Sequence, residues 1–403
     1  MSDRAFPYLI DKFHPVEKMV FLAGPRQVGK TTIANSFLES LPDGGIYLNY
    51  DIPKDRKLIL SETDLLANYR KPAKRPMIVF DEIHKMVKFK AFLKGFYDEN
   101  KNDSRIWVTG SGRLDLFQKG GDSLLGRYFL YHLHPFSIGE LLGKELIEPE
   151  DFWNQFINSD SVKFDYSALL EYGGFPEPFI KQEKSFHRRW ITSRRERIIR
   201  EDIRDLTRIQ DIDRLEKLVE LLPFKIGSPL SVNSLREDLG VAFETIESWL
   251  ETLLRVYYIY FLKPFSSKIN RAIRKERKLY FWDWSTIPDV SAKFENFVVS
   301  QFLKACHAWN NFGIAEAELN YIRDKEKREL DIILLINKKP FLLAEVKLSD
   351  TEPSPHLFRF SEATGCKRLV QIVNIPNTKK IVKKNGQLVY VVSPENIFHF
   401  FKF

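Results

Sequence analysis

The feature that most constrains this chain is the run Gly24-Pro25-Arg26-Gln27-Val28-Gly29-Lys30-Thr31, a GxxxxGKT pattern that functions only between a buried strand and a helix N-terminus. Both flanks are legible: an apolar stretch from Met19 to Ala23 precedes it, and a helical pattern from about Lys30 to Leu41 follows. Glycines at the two ends let successive backbone N–H groups wrap phosphates, and the helix start adds a favourable dipole. Lys30 is placed to reach the outer phosphates, and the Thr31 hydroxyl to ligate magnesium. The expected nucleotide-binding set is Gly24, Pro25, Arg26, Gln27, Val28, Gly29, Lys30, Thr31 and Thr32, with ATP and Mg2+ as the ligands.

Strands continue to alternate with helices downstream. Gly45 to Asn49, Pro76 to Phe80, Ile106 to Thr109 and Tyr128 to Leu133 read as strands, and Phe89 to Asn100 as a helix, which predicts a mostly parallel sheet covered on both faces. The apolar strand ending Val79-Phe80 delivers Asp81 and Glu82 to the carboxyl edge of that sheet, where ligands of such folds sit. Asp81 is expected to hold the magnesium, and Glu82 to orient and polarise the attacking water. The next strand ends Thr109-Gly110-Ser111, so Ser111, with Thr109 second, is the candidate for sensing the γ-phosphate. Arg127, between a helix and the fifth strand, is placed to stabilise the γ-phosphate of a neighbouring subunit, which predicts a ring.

These residues resemble a family of prokaryotic AAA-type ATPases whose core is followed by a winged helix and a C-terminal nuclease-like domain. The resemblance spans nearly the whole chain and rests on GPRQVGKTT, IVFDEIHK, VTGSGRLDLF with SLLGR, YGGFPEPF, RERIIREDI, KLYFWD and the late ELDIILL with AEVK. It implies an α/β fold in four parts: an AAA-type ATPase core over residues 1–140, a helical lid and connector over 141–222, a winged helix over 223–285, and a restriction-endonuclease-like domain over 286–403. It also implies a homo-oligomer, with a hexamer as the expected form. Arg188, Arg189, Arg194 and Arg195 are candidates for a second arginine sensor, and the sequence does not choose among them.

In the last third, an acid opens one strand at Asp331 and Glu345-Val346-Lys347 ends the next, and period-two geometry puts Glu345 and Lys347 on one face. With Asp331 they resemble a PD-(D/E)xK nuclease site, and Glu295 in the preceding helix matches the additional acid of many such folds. The resemblance implies Mg2+ on Asp331, Glu345 and Glu295, with Lys347 steering hydroxide.

A formal net charge of +8 favours a polyanionic partner, and DNA is the expected one. Lys268, Arg271, Arg274, Lys275, Arg277 and Lys278 lie between the two strands of the expected wing, where a hairpin could track phosphates. A second basic series, Arg197, Arg200, Arg204 and Arg208, is at least as well explained by pairing with Glu196, Glu201 and Asp205. The two cysteines, Cys306 and Cys366, are far apart and predict neither a disulfide framework nor a zinc site. With no signal peptide and no bilayer-length apolar run, the expectation is a cytoplasmic protein with no membrane partner.

Two functional readings follow. One is an ATP-driven DNA-processing motor, with branched or four-way junctions among its candidate substrates and a Mg-dependent nuclease domain. The other is a nucleotide-dependent switch whose C-terminal domain binds without catalysing.

Overall fold

The computed structural model describes residues 4–61, 64–67, 69, 75–110, 124–203, 211–265, 277–384 and 386–403. Two compact units divide between His134 and Pro135.

In the first unit, α1 (Ala5–Phe13) leads into β1 (Met19–Ala23), α2 (Lys30–Ser40), β2 (Gly45–Asn49), α3 (Pro53–Leu60), β3 (Met77–Asp81), α4 (Phe89–Asn100), β4 (Arg105–Thr109) and β5 (Tyr128–His132). Among the described residues the strands form one sheet in the order β2-β3-β4-β1-β5, with every neighbouring pair parallel. β1 and β3 are buried at every position, which is why they read as unbroken apolar runs rather than as alternating ones. The register aligns Asn49 with Asp81 and Asp81 with Thr109, so three polar side chains end neighbouring strands at one level. α1 was not anticipated from the sequence.

In the second unit, helices Ile138–Leu142 and Pro149–Asn158 begin a helical series that reaches Ile203, and a further helix spans Ile212–Leu221. Helices Val232–Leu239 and Phe243–Arg255 then precede the antiparallel pair β6 (Ile259–Pro264) and β7 (Lys278–Phe281). The long helix Val290–Asn311 is followed by β8 (Ala317–Arg323), β9 (Glu329–Ile336), β10 (Lys339–Lys347), β11 (Leu369–Val373), β12 (Lys379–Lys384) and β13 (Gln387–Val392). These strands share one sheet in the order β12-β13-β11-β10-β9-β8-β6-β7.

The helix pair and hairpin expected of a winged helix thus occur where the sequence placed them. Residues 135–403 nevertheless form one unit rather than three, because β6 pairs with β8 and carries the hairpin into the C-terminal sheet. The segment expected as a lid is fastened to the same body. Trp309 Nε1 donates to Ile147 O and Trp284 Nε1 to Leu169 O, at 2.8 and 2.7 Å. Lys304 and Glu140 form a buried ion pair, and Tyr166 OH donates to Asn374 Oδ1 at 2.9 Å.

Residues Lys379 to Lys384, read from sequence as a lysine-rich turn, instead form edge strand β12, paired along its length with β13. The lysines disguised it: charge on an edge strand discourages pairing with a further chain, yet weakens the apolar signal by which strands are found.

Gly45 shows how closely β2 is held. Its φ is +154°, and a Cβ there would lie 1.9 Å from Met77 O. Gly45→Ala should therefore cost about 1–3 kcal/mol of stability through overpacking, seen as a lower midpoint of thermal unfolding. An unchanged midpoint would contradict the β2–β3 packing described.

Candidate functional site

The phosphate-loop sequence connects β1 to α2. Gly24 has φ +147°, and a Cβ on it would come within 2.4 Å of Leu133 O, so no other residue fits this loop entrance unstrained. Lys30 is buried, and its ammonium donates to Gly24 O and Pro25 O at 2.8 Å each. The first turn of α2 brings Thr31 to the sheet edge, where its hydroxyl donates to Asp81 Oδ2 at 3.1 Å.

Asp81 is the hub. Thr109 Oγ1 donates to its Oδ1 at 2.6 Å, and the Glu82 amide does so at 3.1 Å. On Oδ2, Thr31 is joined by the Tyr47 hydroxyl and by Asn49 Nδ2 at 3.5 Å. A buried carboxylate needs such donors to remain charged away from water. Burial, reinforced by Asp81, pushes the Tyr47 hydroxyl above its ordinary pKa, so it stays a proton donor.

Glu82 follows with φ +54°, a left-handed conformation that few non-glycine residues adopt. Burial and then the Asp81 charge push its carboxyl up to about 7, against the pull of Lys85 and Lys30. Its Oε2 lies 3.4 Å from His84 Nε2 and 3.9 Å from Lys85 Nζ.

A second cluster of charge lies in the C-terminal unit. β9 contributes Glu329 and Asp331, the helix Val290–Asn311 contributes Glu295, and β10 contributes Glu345 and Lys347. Lys347 Nζ sits 2.8 Å from Glu345 Oε1, so the two share a face as strand geometry requires. Asp331 Oδ2 accepts from the Val346 amide at 2.9 Å. Burial, then Asp331, pushes the Glu345 carboxyl up to about 7, with Lys347 and Ser354 opposing.

Lys278 of β7 enters this cluster. Its Nζ lies 2.6 Å from Glu329 Oε1, 3.3 Å from Glu295 Oε1 and 3.4 Å from Asp331 Oδ1. Burial alone would lower the lysine's pKa, but Glu295, Asp331 and Glu329 outweigh it and the net shift is upward. Two of the sequence-predicted acids, Glu295 and Asp331, converge with Glu329 on an ammonium, whereas Glu345 pairs with Lys347. Among the described residues no group of three or more His, Cys, Asp or Glu side chains is gathered to hold a metal ion. The Mg2+ expected on Glu295, Asp331 and Glu345 does not fit these side chains as they stand.

Comparison with known proteins bears on the first unit most directly. Residues 16–142 match the AAA domain. This match supports an AAA-type ATPase core and implies nucleotide binding. Residues 163–293 match one domain of unknown function, DUF8612, and residues 291–393 another, DUF4143. Uncharacterized proteins of Mycobacterium bovis and Mycobacterium tuberculosis are each 22% identical over 348 residues, covering 83% of this chain and 71% of theirs. An uncharacterized protein of Methanocaldococcus jannaschii is 24% identical over 301 residues, covering 68% of this chain and 62% of its own.

Within the AAA core, Thr109 donates its hydroxyl hydrogen to Asp81, and Ser111 lies outside the described residues. Arg127 forms a bidentate pair with Asp98, at 2.9 and 3.0 Å. In the second unit, Arg194 is buried against Phe175 and 3.9 Å from Asp283, so its guanidinium is committed to that interior rather than exposed as a sensor.

Of the residues expected on DNA, Lys268, Arg271, Arg274 and Lys275 lie outside the described residues, as do Arg204 and Arg208. Lys278 is a correction: it is fully buried among carboxylates and has no surface to offer a phosphate. Arg277 is paired with Glu247 at 2.6 Å and packed on Phe261. Arg200 pairs with Glu216, in keeping with a solvated ion-paired helix. Among the described residues no helix is long and apolar enough to cross a membrane.

Sequence reasoning missed Tyr47 and Asn49, and it placed Lys278 on DNA rather than among carboxylates. Only register could have found the first two, and KLYFWD was noticed without its chemistry. Tyr47→Phe removes one donor to Asp81 while keeping the ring, and second-shell losses of this kind typically cost about 10–100-fold. ATP turnover should fall within that range at an unchanged thermal midpoint. Turnover equal to wild type would remove Tyr47 from the site.

Proposed function

We propose that this chain hydrolyses Mg-ATP and uses that turnover to act on DNA as an oligomeric motor. The observation that carries the reading is the placement of Thr31 Oγ1 3.1 Å from the fully hydrogen-bonded Asp81 carboxylate, beside a loop that encloses the Lys30 ammonium. Magnesium in phosphate sites takes most of its ligands from water and the nucleotide, so one hydroxyl and one carboxylate suffice. When bound, the metal would neutralise charge on the outer phosphates. Lys30 would add its charge to theirs, Thr31 would supply the hydroxyl ligand, and Asp81 would hold the metal's water shell. Glu82, beside Asp81 and at the carboxyl edge of the sheet, would orient the attacking water.

The oligomer, a hexamer in its fullest form, rests on the AAA match and on Arg127. For Arg127 to serve a neighbour's γ-phosphate, that phosphate must replace the Asp98 carboxylate, an exchange of one bidentate anion for another. DNA as the partner rests on the net charge of +8 and on the basic run from Lys268 to Lys275. Metal-dependent DNA cleavage forms no part of this proposal, because Lys278 pairs with Glu295 and Asp331, two of the three carboxylates expected to hold its metal.

The same lysine favours a second reading, in which the ATPase is a nucleotide-dependent switch and the C-terminal domain a non-catalytic binding platform. Steady-state ATP hydrolysis separates the two, measured with no DNA, single strand, duplex and a four-way junction at two salt concentrations. A motor should be stimulated by DNA, less so at high salt as counterion release dictates. Glu82→Gln should lower the rate about 10²–10⁴-fold under every condition. Wild-type hydrolysis indifferent to all DNA forms would overturn the motor and leave the switch.

A further inference from the structure

The carboxylates around Lys278 come from two elements distant in sequence from β7, yet they meet its ammonium within 3.4 Å. The ammonium contacts carboxylates from β9 and from the helix Val290–Asn311, and lies 5.4 Å from the Tyr321 ring centroid on β8. Tyr280, two residues along β7 and therefore on the same strand face, donates to Glu295 Oε1 at 2.7 Å. β7 thus aims two side chains into one acidic centre. Lys278 has no exposed surface, while the three carboxylates around it are only partly buried.

Three carboxylates face this one ammonium, and the Arg323 guanidinium lies 3.9 Å from the outer one, Glu329. A partly buried carboxylate group of this kind demands a cation. A divalent ion would need the same oxygens at coordination distance, and Lys278 Nζ already lies 2.6–3.4 Å from all three. Ammonium and metal cannot share that space, because like charges at such separations repel strongly away from water.

A second observation lies one rung away. The β9–β10 register pairs Ala344 with Ile332, which sets Glu345 across from Asp331. Glu345 is 3% exposed, and its Oε2 has no hydrogen-bond partner among the described residues. The centre therefore keeps a buried carboxylate oxygen that Lys278 does not satisfy. Donor capacity for a metal is present, while the position among Glu295, Glu329 and Asp331 is taken.

We propose that the Lys278 ammonium is the resident cation of this centre, standing where a divalent metal would need to be, so that the chain holds no metal there until that ammonium is removed. The proposal concerns the second unit alone and stands whether or not the ATPase acts on DNA. A β7 lysine, and not the Glu345–Lys347 pair singled out by sequence, then decides the metal status of the C-terminal domain.

The test is Mn2+ binding by the full chain without nucleotide, read by electron paramagnetic resonance, in an Asp81→Asn background that silences the ATP site. With Lys278 intact, no bound Mn2+ should be sensitive to Asp331→Asn. Lys278→Met should gain about one Mn2+ per chain, and adding Asp331→Asn should abolish it. Because Lys278→Met leaves three carboxylates without their counterion, Lys278→Met/Glu329→Gln provides a less charged version, and the same gain is expected. Bound Mn2+ in the presence of Lys278 that disappears with Asp331→Asn would overturn the proposal. So would a folded variant lacking the lysine, in either form, that gains none.

Discussion

The candidate nucleotide site depends on the hydrogen-bonded environment of a single carboxylate, Asp81. Its oxygens receive hydrogen bonds from α2 through Thr31, from β2 through Tyr47 and Asn49, and from β4 through Thr109, with the Glu82 amide closing the set. Each donor stands at the carboxyl edge of the parallel sheet, so the sheet's register and the site's geometry are the same fact. A slip of one residue in β3 would turn Asp81 to the opposite face and strand a charge in the core.

The same logic, with opposite outcome, governs the C-terminal unit. There too a sheet and a helix gather carboxylates, but the cation that balances them is built into the chain as Lys278. In the proposed reading, the first centre takes its cation from a ligand and the second from the chain itself. The unit that contains this second centre also binds the segment expected as a lid, through the indoles of Trp284 and Trp309 and the Lys304–Glu140 pair.

What could be read in the sequence follows from how each signal is encoded. The phosphate loop is contiguous, so its glycines, Lys30 and Thr31 were legible together, and the buried strands of the first sheet announced themselves as apolar runs. Asp81 and Glu82 were legible because a strand end points at the ligand edge. Tyr47 was not, because its partnership depends on which strand lies beside β3, and adjacency in a parallel sheet is invisible to local pattern. Lys278 illustrates the same limit more sharply. In sequence it ends a basic run and looks like a phosphate contact, whereas in space it is surrounded by Glu295, Glu329 and Asp331. The joining of the hairpin to the C-terminal sheet was hidden for a related reason: β6 looks like half of a self-contained hairpin until its second edge is seen to pair with β8.

The central claim is that Asp81, held by these donors, couples nucleotide binding to magnesium. The direct measurement is the Kd for ATP with and without Mg2+ in the wild type and in Asp81→Asn. The account predicts that Mg2+ tightens ATP binding by the wild type and that this dependence collapses in Asp81→Asn, while metal-free binding, which rests on the loop and Lys30, is retained. An Asp81→Asn protein that keeps the full magnesium effect would contradict it.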